Sequence, residues 1–552
     1  MSYPTMKRFE GFETGRLGRL ANMLASVLQA VWRRNRRLYI NLIALVLTTA
    51  FVWYGQKAAS ARADWNALRS WTTEDGIIQT FGDHLSSERL HVILPASNGA
   101  PQLCKSMLAQ TILGYPAPNL VMWNQTFDDD RFLGNGSHLA KISSTLAWLE
   151  EPSHYTNEDD LVVMADAYDV WFQLPPETLI TRYHRLVANE NERIRHRMGT
   201  RAFEAEKIST KVIFSASKRC GPNDPQSIAC YAVPGSPLPR NVFGAITDTK
   251  FPNNRFAGLR QQHLVSGFII GPVRDMRRIF ERANERMKEC LAGDMQGTRW
   301  VRQNCHKGSD QSFFNDMFGW QEFHRELMRR HHRTAWERFF DRLMPWRDGA
   351  PPGPHVIENN AIVDDPIDPS FPHQPMPDAE YHDDQPHELG ITVDYFSELS
   401  HQTSNAIFDT AFVKHNAPLR PQTEHPAHGQ GIMCSPHAPM PNDLLDDSGG
   451  LELFGKDERP RWEQLPLYTE VCAGTVPIAV HHNWVNKDPI NTLWPEMWWT
   501  GKAKMLLDAR RNRAAVGVRK WVGGAVTDTG ENLTWNELCP SEWNEDLFPE
   551  KE

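Results

Sequence analysis

A short apolar run that ends in two carboxylates constrains this chain more than any other stretch. Residues 161–174 read LVVMADAYDVWFQL, and the first four of them are all apolar. Four consecutive apolar residues predict a strand buried on both faces, as at the centre of a parallel or mixed α/β sheet. Asp166 and Asp169 follow where that strand should end, which is where open α/β sheets bind their ligands. Two acids three residues apart can serve one site only if the chain turns between them.

The two acids have a functional and a structural interpretation. Carboxylate oxygens at a strand end suit Mg²⁺ or Mn²⁺ that carries the phosphates of a substrate. Asp166 could instead cap a turn or a helix, and Asp169 could be a solvated loop acid, because short motifs recur by chance. Tyr168 stands between the acids, and Pro175 and Pro176 open the next predicted helix.

The chain after residue 88 predicts alternating strands and helices. We expect strands at residues 90–94, 119–123, 211–216 and 265–271, with the last buried strand at 477–480. We expect helices at residues 101–113, 137–150, 176–189, 274–291 and 309–318. A strand, a helix and a strand within residues 90–123 form a βαβ unit, which implies a parallel pair. The predicted fold class is therefore α/β.

An uncharged apolar stretch precedes this domain at residues 38–54. Its length suits a short membrane span, and a buried core helix is the alternative. Four arginines stand immediately before it: Arg33, Arg34, Arg36 and Arg37. The positive-inside rule then places residues 1–37 in the cytoplasm and everything after residue 54 in a lumen. We interpret residues 55–88 as a stem, and we expect a single-pass type II protein of the Golgi or endoplasmic reticulum membrane.

Cysteine usage and charge agree with a lumenal domain. All eight cysteines follow the apolar stretch and none forms a CxxC pair, which favours disulfides over a zinc site. Three glycosylation sequons, at Asn124, Asn135 and Asn532, support the same compartment. A formal net charge of −9 argues against nucleic acid as the main partner.

A second motif follows the last predicted strand. Residues 481–487 read HHNWVNK, so His481 places an imidazole at a strand end and Lys487 places a cation six residues later. A metal-dependent sugar transferase needs both, because it must hold a metal and stabilise the charge that grows on the departing nucleotide. Considered alone, His481 would more often be a packed strand-end histidine, but its pairing with the first motif favours a ligand.

Together the two motifs resemble those of the glycosyltransferase domain of the procollagen lysyl hydroxylases. The matched order of motifs covers about residues 88–325 and 388–500. The resemblance implies a GT-A fold, a nucleotide-sugar transferase on a doubly wound, Rossmann-like mixed sheet with helices on both faces. It also implies a UDP-sugar as donor, Mn²⁺ (or Mg²⁺) as cofactor, and a protein or glycan as acceptor.

The resemblance also implies roles for individual residues. The metal ligands would be Asp166, Asp169 and His481, with Tyr168 against the uracil. The remaining contacts to the nucleotide and its diphosphate would come from Lys141, Asn483 and Lys487, and the last of these would also act in catalysis. Asp310, in an Asp-Gln pair, would be a catalytic acid.

The chain departs from the family pattern at several positions. Ser217 stands where the family usually carries an acid, and His482 stands where it usually has glycine. Gly308 and Ser309 replace acids that often precede the Asp-Gln pair, which leaves a helix N-cap as the alternative role of Asp310.

The predicted organisation runs from a cytoplasmic tail to a C-terminal extension. It comprises a tail (1–37), a span (38–54), a stem (55–88), a GT-A domain (89–505) with loop insertions at about 345–390 and 415–448, and an extension (506–552). Two other functions compete with a transferase. One is an inactive GT-A module that binds glycans or proteins through a Trp-rich tail, and the other is a metal-dependent phosphohydrolase, which would need more clustered acids and histidines.

Overall fold

The computed structural model describes residues 89–223, 227–248, 256–295, 308–336, 339, 355–358, 361–364, 387–416, 440–445, 450–483 and 488–549. The predicted tail, span and stem, Lys487, and most of the two predicted insertions lie outside these residues. Within the described residues, no helix is both long enough and apolar enough to cross a bilayer.

The described chain contains fifteen strands and eleven α-helices. The strands are β1 Leu90–Pro95, β2 Asn119–Val121, β3 Leu161–Ala165, β4 Val170–Phe172, β5 Val212–Ser217, β6 His263–Pro272, β7 His355–Glu358, β8 Ala361–Asp364, β9 Ile391–Asp394, β10 Ser400–Gln402, β11 Thr410–Val413, β12 Leu467–Glu470, β13 Ala479–His481, β14 Ala525–Thr527 and β15 Asn532–Leu533. The helices are α1 Pro101–Leu113, α2 Ser137–Glu150, α3 Pro176–Met198, α4 Thr200–Ala205, α5 Ile228–Tyr231, α6 Val273–Met295, α7 Asp310–His331, α8 Asp488–Leu493, α9 Ala503–Arg513, α10 Trp535–Leu538 and α11 Asn544–Leu547.

An eight-stranded mixed sheet forms the centre of the fold, in the order β15-β14-β2-β1-β3-β6-β5-β9. β1 is parallel to both β2 and β3, which confirms the predicted βαβ unit, and β3 is antiparallel to β6. β3 lies inside the sheet with all five residues buried, as its apolar run predicts. The predicted α/β class with a mixed sheet is confirmed.

Helices cover both faces of this sheet because successive strand residues point to opposite sides. In β3, Val163 packs into one core together with residues of α1, α3 and α9. Its neighbours Val162 and Met164 pack into a second core with residues of α2, α6 and α7. Each core has its own set of helices, so the sheet is buried on both sides.

A second, three-stranded sheet follows directly from the end of β3. The chain turns over residues 167–169 and enters β4, which pairs antiparallel with β13; β13 in turn is parallel to β10. In this register His481 lies opposite Val170. The turn that the spacing of Asp166 and Asp169 requires is therefore present. It brings the motif that begins at His481 beside the two acids.

Three predicted boundaries are wrong. α3 continues to Met198 and α7 to His331, beyond the expected ends at 189 and 318. Arg197 of α3 forms an ion pair with Glu322 of α7, and such pairs stabilise the polar extensions of both helices. The strand near residue 480 is not the last, because β14 pairs parallel with β2 and antiparallel with β15 at the sheet edge. Strands of two or three residues are too short to show a pattern in the sequence.

Disulfides are present, as predicted. Cys104 of α1 is bonded to Cys539, and Cys220 is bonded to Cys230. Cys290 and Cys472 are also disulfide-bonded. The first of these bonds fastens the C-terminal segment to the first helix of the domain.

Candidate metal centre

The end of β3 and the turn after it place the two predicted acids. The backbone N–H of Asp166 donates to Gly267 O of β6 at 2.9 Å, and Asp169 O accepts from His482 N at 2.7 Å. Each acid is thereby tied to a neighbouring strand through its backbone. Their side chains remain partly exposed, 30% for Asp166 and 16% for Asp169.

His481, the last residue of β13, completes the cluster that we call the metal centre. Its Nε2 lies 3.5 Å from Asp166 Oδ2 and 3.4 Å from Asp169 Oδ1. One potential ligand atom from each of the three residues lies within 4.8 Å of the other two. Two carboxylate oxygens and one imidazole nitrogen are suitable ligands for a divalent cation such as Mn²⁺. The three predicted metal ligands therefore converge and fit the predicted cofactor.

Gly267 makes room for the imidazole of His481. A Cβ atom at position 267 would lie 1.9 Å from His481 Cε1, a distance that no side chain permits. In the structure, the group that approaches Gly267 is the His481 ring.

Lys141 joins the metal centre to Asp310. Its Nζ lies 2.6 Å from Asp166 Oδ1 and 2.8 Å from Asp310 Oδ2, and it donates to Ser266 O at 3.3 Å. Asp310 is the first residue of α7 and is 3% exposed. Its carboxylate also accepts from Ser266 Oγ at 2.8 Å and lies 2.9 Å from His138 Nδ1. Asp310 is therefore not the N-cap that was its alternative interpretation.

Burial and neighbouring charges have opposite effects on the pKa values of Lys141 and Asp310. Burial would lower the pKa of Lys141, but Asp166 and Asp310 raise it above its ordinary value. Burial would raise the pKa of Asp310, yet Lys141 and His138 hold that pKa well below its ordinary value. Lys141 is thus charged and Asp310 ionised across the physiological pH range. His138 remains the accessible member, with 44% of its side chain exposed.

Tyr168 and Asn483 are the other predicted nucleotide contacts that the structure describes. The Tyr168 hydroxyl accepts from Ser97 N at 3.0 Å and Asn98 N at 3.1 Å, which fixes the ring beside the loop after β1. The Asn483 side chain accepts from Ser404 N and donates to Gln402 Oε1, both at 2.9 Å, so it ties β13 to β10.

Sequence reasoning missed His138, Ser266 and the specific role of Gly267. His138 precedes Lys141 by three residues in α2, and that spacing places both on one helix face. In the sequence, only this spacing could have indicated that His138 belongs to the site. The contact of Ser266 with Asp310 depends on how β6 meets α7, which no local pattern reveals.

A scan of the sequence against protein-family models and a search of curated proteins found no match.

Proposed function

We propose that the chain is a metal-dependent glycosyltransferase with the GT-A fold, which moves a hexose from a UDP-sugar to a protein or glycan acceptor. The observation that carries this proposal is the convergence of Asp166, Asp169 and His481. Their meeting depends on the turn after β3 and on the pairing of β13 with β4. Three potential ligands that come from two distant segments indicate a built site more strongly than neighbouring acids would.

The ligand atoms suit the proposed cofactor and leave it accessible. Mn²⁺ accepts both carboxylate and imidazole ligands, and Mg²⁺, which prefers oxygen, is the second choice. When bound, the cation would offset the negative charge on the diphosphate of the donor. The carboxylates of Asp166 and Asp169 are partly exposed, so a donor can approach them.

The remaining predicted residues surround the donor in this proposal. Lys141 adds positive charge beside Asp166, and Tyr168 offers its ring to the uracil. Asn483 holds the end of β13 in place next to the nucleotide. Lys487 would meet the diphosphate as charge develops on the departing UDP.

In this proposal, His138 and Asp310 divide the role that the family resemblance implies for Asp310 alone. Asp310 is enclosed by His138, Lys141 and Ser266, so it acts as a positioning residue that orients the imidazole, as in other Asp-His pairs. The acceptor hydroxyl attacks C1 of the sugar and its proton passes to His138 Nε2. The bond from C1 to UDP breaks, and its electron pair leaves with the diphosphate.

The competing binding-module function has less support. It relies on the Trp-rich tail as a contact surface, but Trp494, Trp498 and Trp499 are at most 8% exposed. These rings pack against one another and against Trp171 and Trp462. They stabilise the core. Among the described residues of the tail up to Trp499, no tryptophan side chain is therefore exposed to bind a partner.

A donor screen with the purified full-length protein tests the proposal. Binding of a panel of UDP-sugars and release of UDP are measured with Mn²⁺ and with a chelator. We expect at least one donor to be used only with metal, and Asp169→Ala to weaken its binding roughly tenfold to a hundredfold. Asp159→Ala, which removes an exposed acid paired with Arg274, is the matched control. If no donor is bound, or if Asp169→Ala behaves as the wild type, the proposal fails.

We also propose that residues 38–54 anchor the protein in the Golgi or endoplasmic reticulum membrane, with the domain in the lumen. The described disulfides fit an oxidising compartment, and the asparagine of each of the three sequons is exposed. Protease added to sealed microsomes should spare the domain. Digestion without detergent would contradict this topology.

A further inference from the structure

Exposed apolar side chains concentrate in one segment of the described chain. Eight large hydrophobic side chains among the described residues are exposed, and four of them are Met505, Val516, Val518 and Trp521. Val516 is 81% exposed, Val518 51% and Trp521 36%. Single exposed apolar residues are common on protein surfaces, but a cluster of them marks an interaction site.

The same segment is strongly basic. No acid occurs between Asp508 and Asp528, whereas that interval contains Arg510, Arg511, Arg513, Arg519 and Lys520. The whole chain carries a formal net charge of −9, so this segment reverses the overall sign. Arg510 is used within the fold, because its guanidinium pairs with Glu452 at 3.1 Å. We call residues 511–521, which begin in the last turn of α9, the basic loop.

Internal hydrogen bonds hold the basic loop in one shape. Arg519 donates from Nε to Ala514 O at 3.1 Å and from Nη2 to Asn512 O at 3.2 Å. The N–H of Trp521 donates to Val518 O at 2.9 Å, which brings two of the exposed apolar residues together. Lys520 Nζ lies 4.2 Å from the centroid of the Trp521 ring. The loop therefore presents its apolar and cationic groups on a preformed surface.

We propose that the basic loop binds an anionic lipid bilayer. The two valines and Trp521 would enter the interfacial layer while the cations meet acidic head groups, the combination that peripheral membrane surfaces use. Tryptophan suits this layer because its ring is apolar and its N–H is polar. A soluble polyanion would use the cations but gain nothing from exposed valines, which favours the bilayer. This inference does not depend on the proposed transferase activity.

A fluorescent probe on the full-length protein tests the inference. In the variant Val516→Cys, the new cysteine is labelled with a fluorophore that brightens in an apolar medium. The labelled protein is mixed with vesicles of phosphatidylcholine, either alone or with phosphatidylserine added. Every variant shares the N-terminal apolar stretch, so differences between them report on the basic loop. The matched control is the same label at Leu445→Cys, an exposed apolar position followed by two aspartates.

We expect the label at position 516 to brighten severalfold only with phosphatidylserine, and to dim again in high salt as the charges are screened. The substitution Lys520→Gln should lower the apparent affinity for these vesicles about fivefold, the contribution expected of one cation near a charged surface. The label at position 445 should not respond. Equal signals with both vesicle types would overturn the inference. So would heparin binding without any response to vesicles, which would identify a soluble polyanion as the partner.

Discussion

Two of the clusters of acidic and basic side chains in the described domain differ in their access to solvent. In the metal centre, the carboxylates of Asp166 and Asp169 are partly exposed. The sealed cluster, by contrast, consists of Lys218, Asp409 and Glu470. The side chains of its lysine and aspartate are fully buried, and Glu470 is 1% exposed.

The sealed cluster must balance its charges internally. Lys218 forms an ion pair with Asp409, donates to Ala257 O at 2.5 Å, and lies 3.7 Å from the centroid of the Phe243 ring. One ammonium faces two acids, so burial and Asp409 together raise the pKa of Glu470 to about 8. The metal centre has no such restriction because its open side allows a ligand to complete the charge balance. Access to solvent thus separates a structural cluster from one suited to exchange a ligand.

Removing the cation from the sealed cluster should have the largest effect. Lys218→Met leaves Asp409 buried without its partner, and breaking a buried pair in this way costs about 3–5 kcal/mol of unfolding free energy. Denaturant unfolding measures the loss. Lys456→Met, at an exposed lysine, should change stability by less than about 0.5 kcal/mol. If the two variants are equally stable, the sealed cluster has no structural role.

The next largest effect should come from His138, which is linked to the metal centre through Asp310 and Lys141. His138→Gln removes the proposed proton acceptor, which should lower turnover by about a hundredfold, near the lower end for acid-base catalysis. Donor and Mn²⁺ affinities should stay the same, because His138 contacts Asp310 and none of the three metal ligands. His196→Gln, on the exposed face of α3, is the control. A change in donor affinity with unchanged turnover would contradict the catalytic role.

Gly267→Ala should displace the His481 imidazole from the two carboxylates. The new Cβ would clash with the ring, so Mn²⁺ affinity should fall roughly tenfold to a hundredfold, as for other disturbed metal sites. Gly455→Ala is the matched control, because a Cβ there has no neighbour within 4 Å. Calorimetric titration with Mn²⁺ gives both affinities, and equal values would show that the close approach is unimportant.

The smallest expected effect, counted per pH unit, is the pH dependence of stability that the sealed cluster causes. The folded pKa of Glu470, about 8, lies above its ordinary value of 4.5, so the folded state binds more protons between these values. The unfolding free energy should therefore fall as pH rises from about 4.5 to 8, by at most about 1.4 kcal/mol per pH unit. Glu470→Gln should remove this part of the slope. Parallel stability curves for the two proteins would exclude a titrating Glu470.

The sequence predicted those features whose cause is local. The apolar run and the spacing of Asp166 and Asp169 indicate a strand end and a turn, and His481 follows another strand. His138 and Ser266 were missed because their meeting with Asp310 depends on packing between distant elements. The sealed cluster was also beyond prediction, since charged residues are normally expected at the surface.

Because β14 pairs with β2, the eight-stranded sheet can be completed only after β14 has been synthesised. Until Ala525 has been synthesised, β2 lacks its outer neighbour and presents unpaired N–H and C=O groups, a template for pairing with other chains. Asp528, which accepts from Met122 N at 2.8 Å, arrives later still. The ribosome must therefore add about 400 further residues after β2 before this early strand is covered.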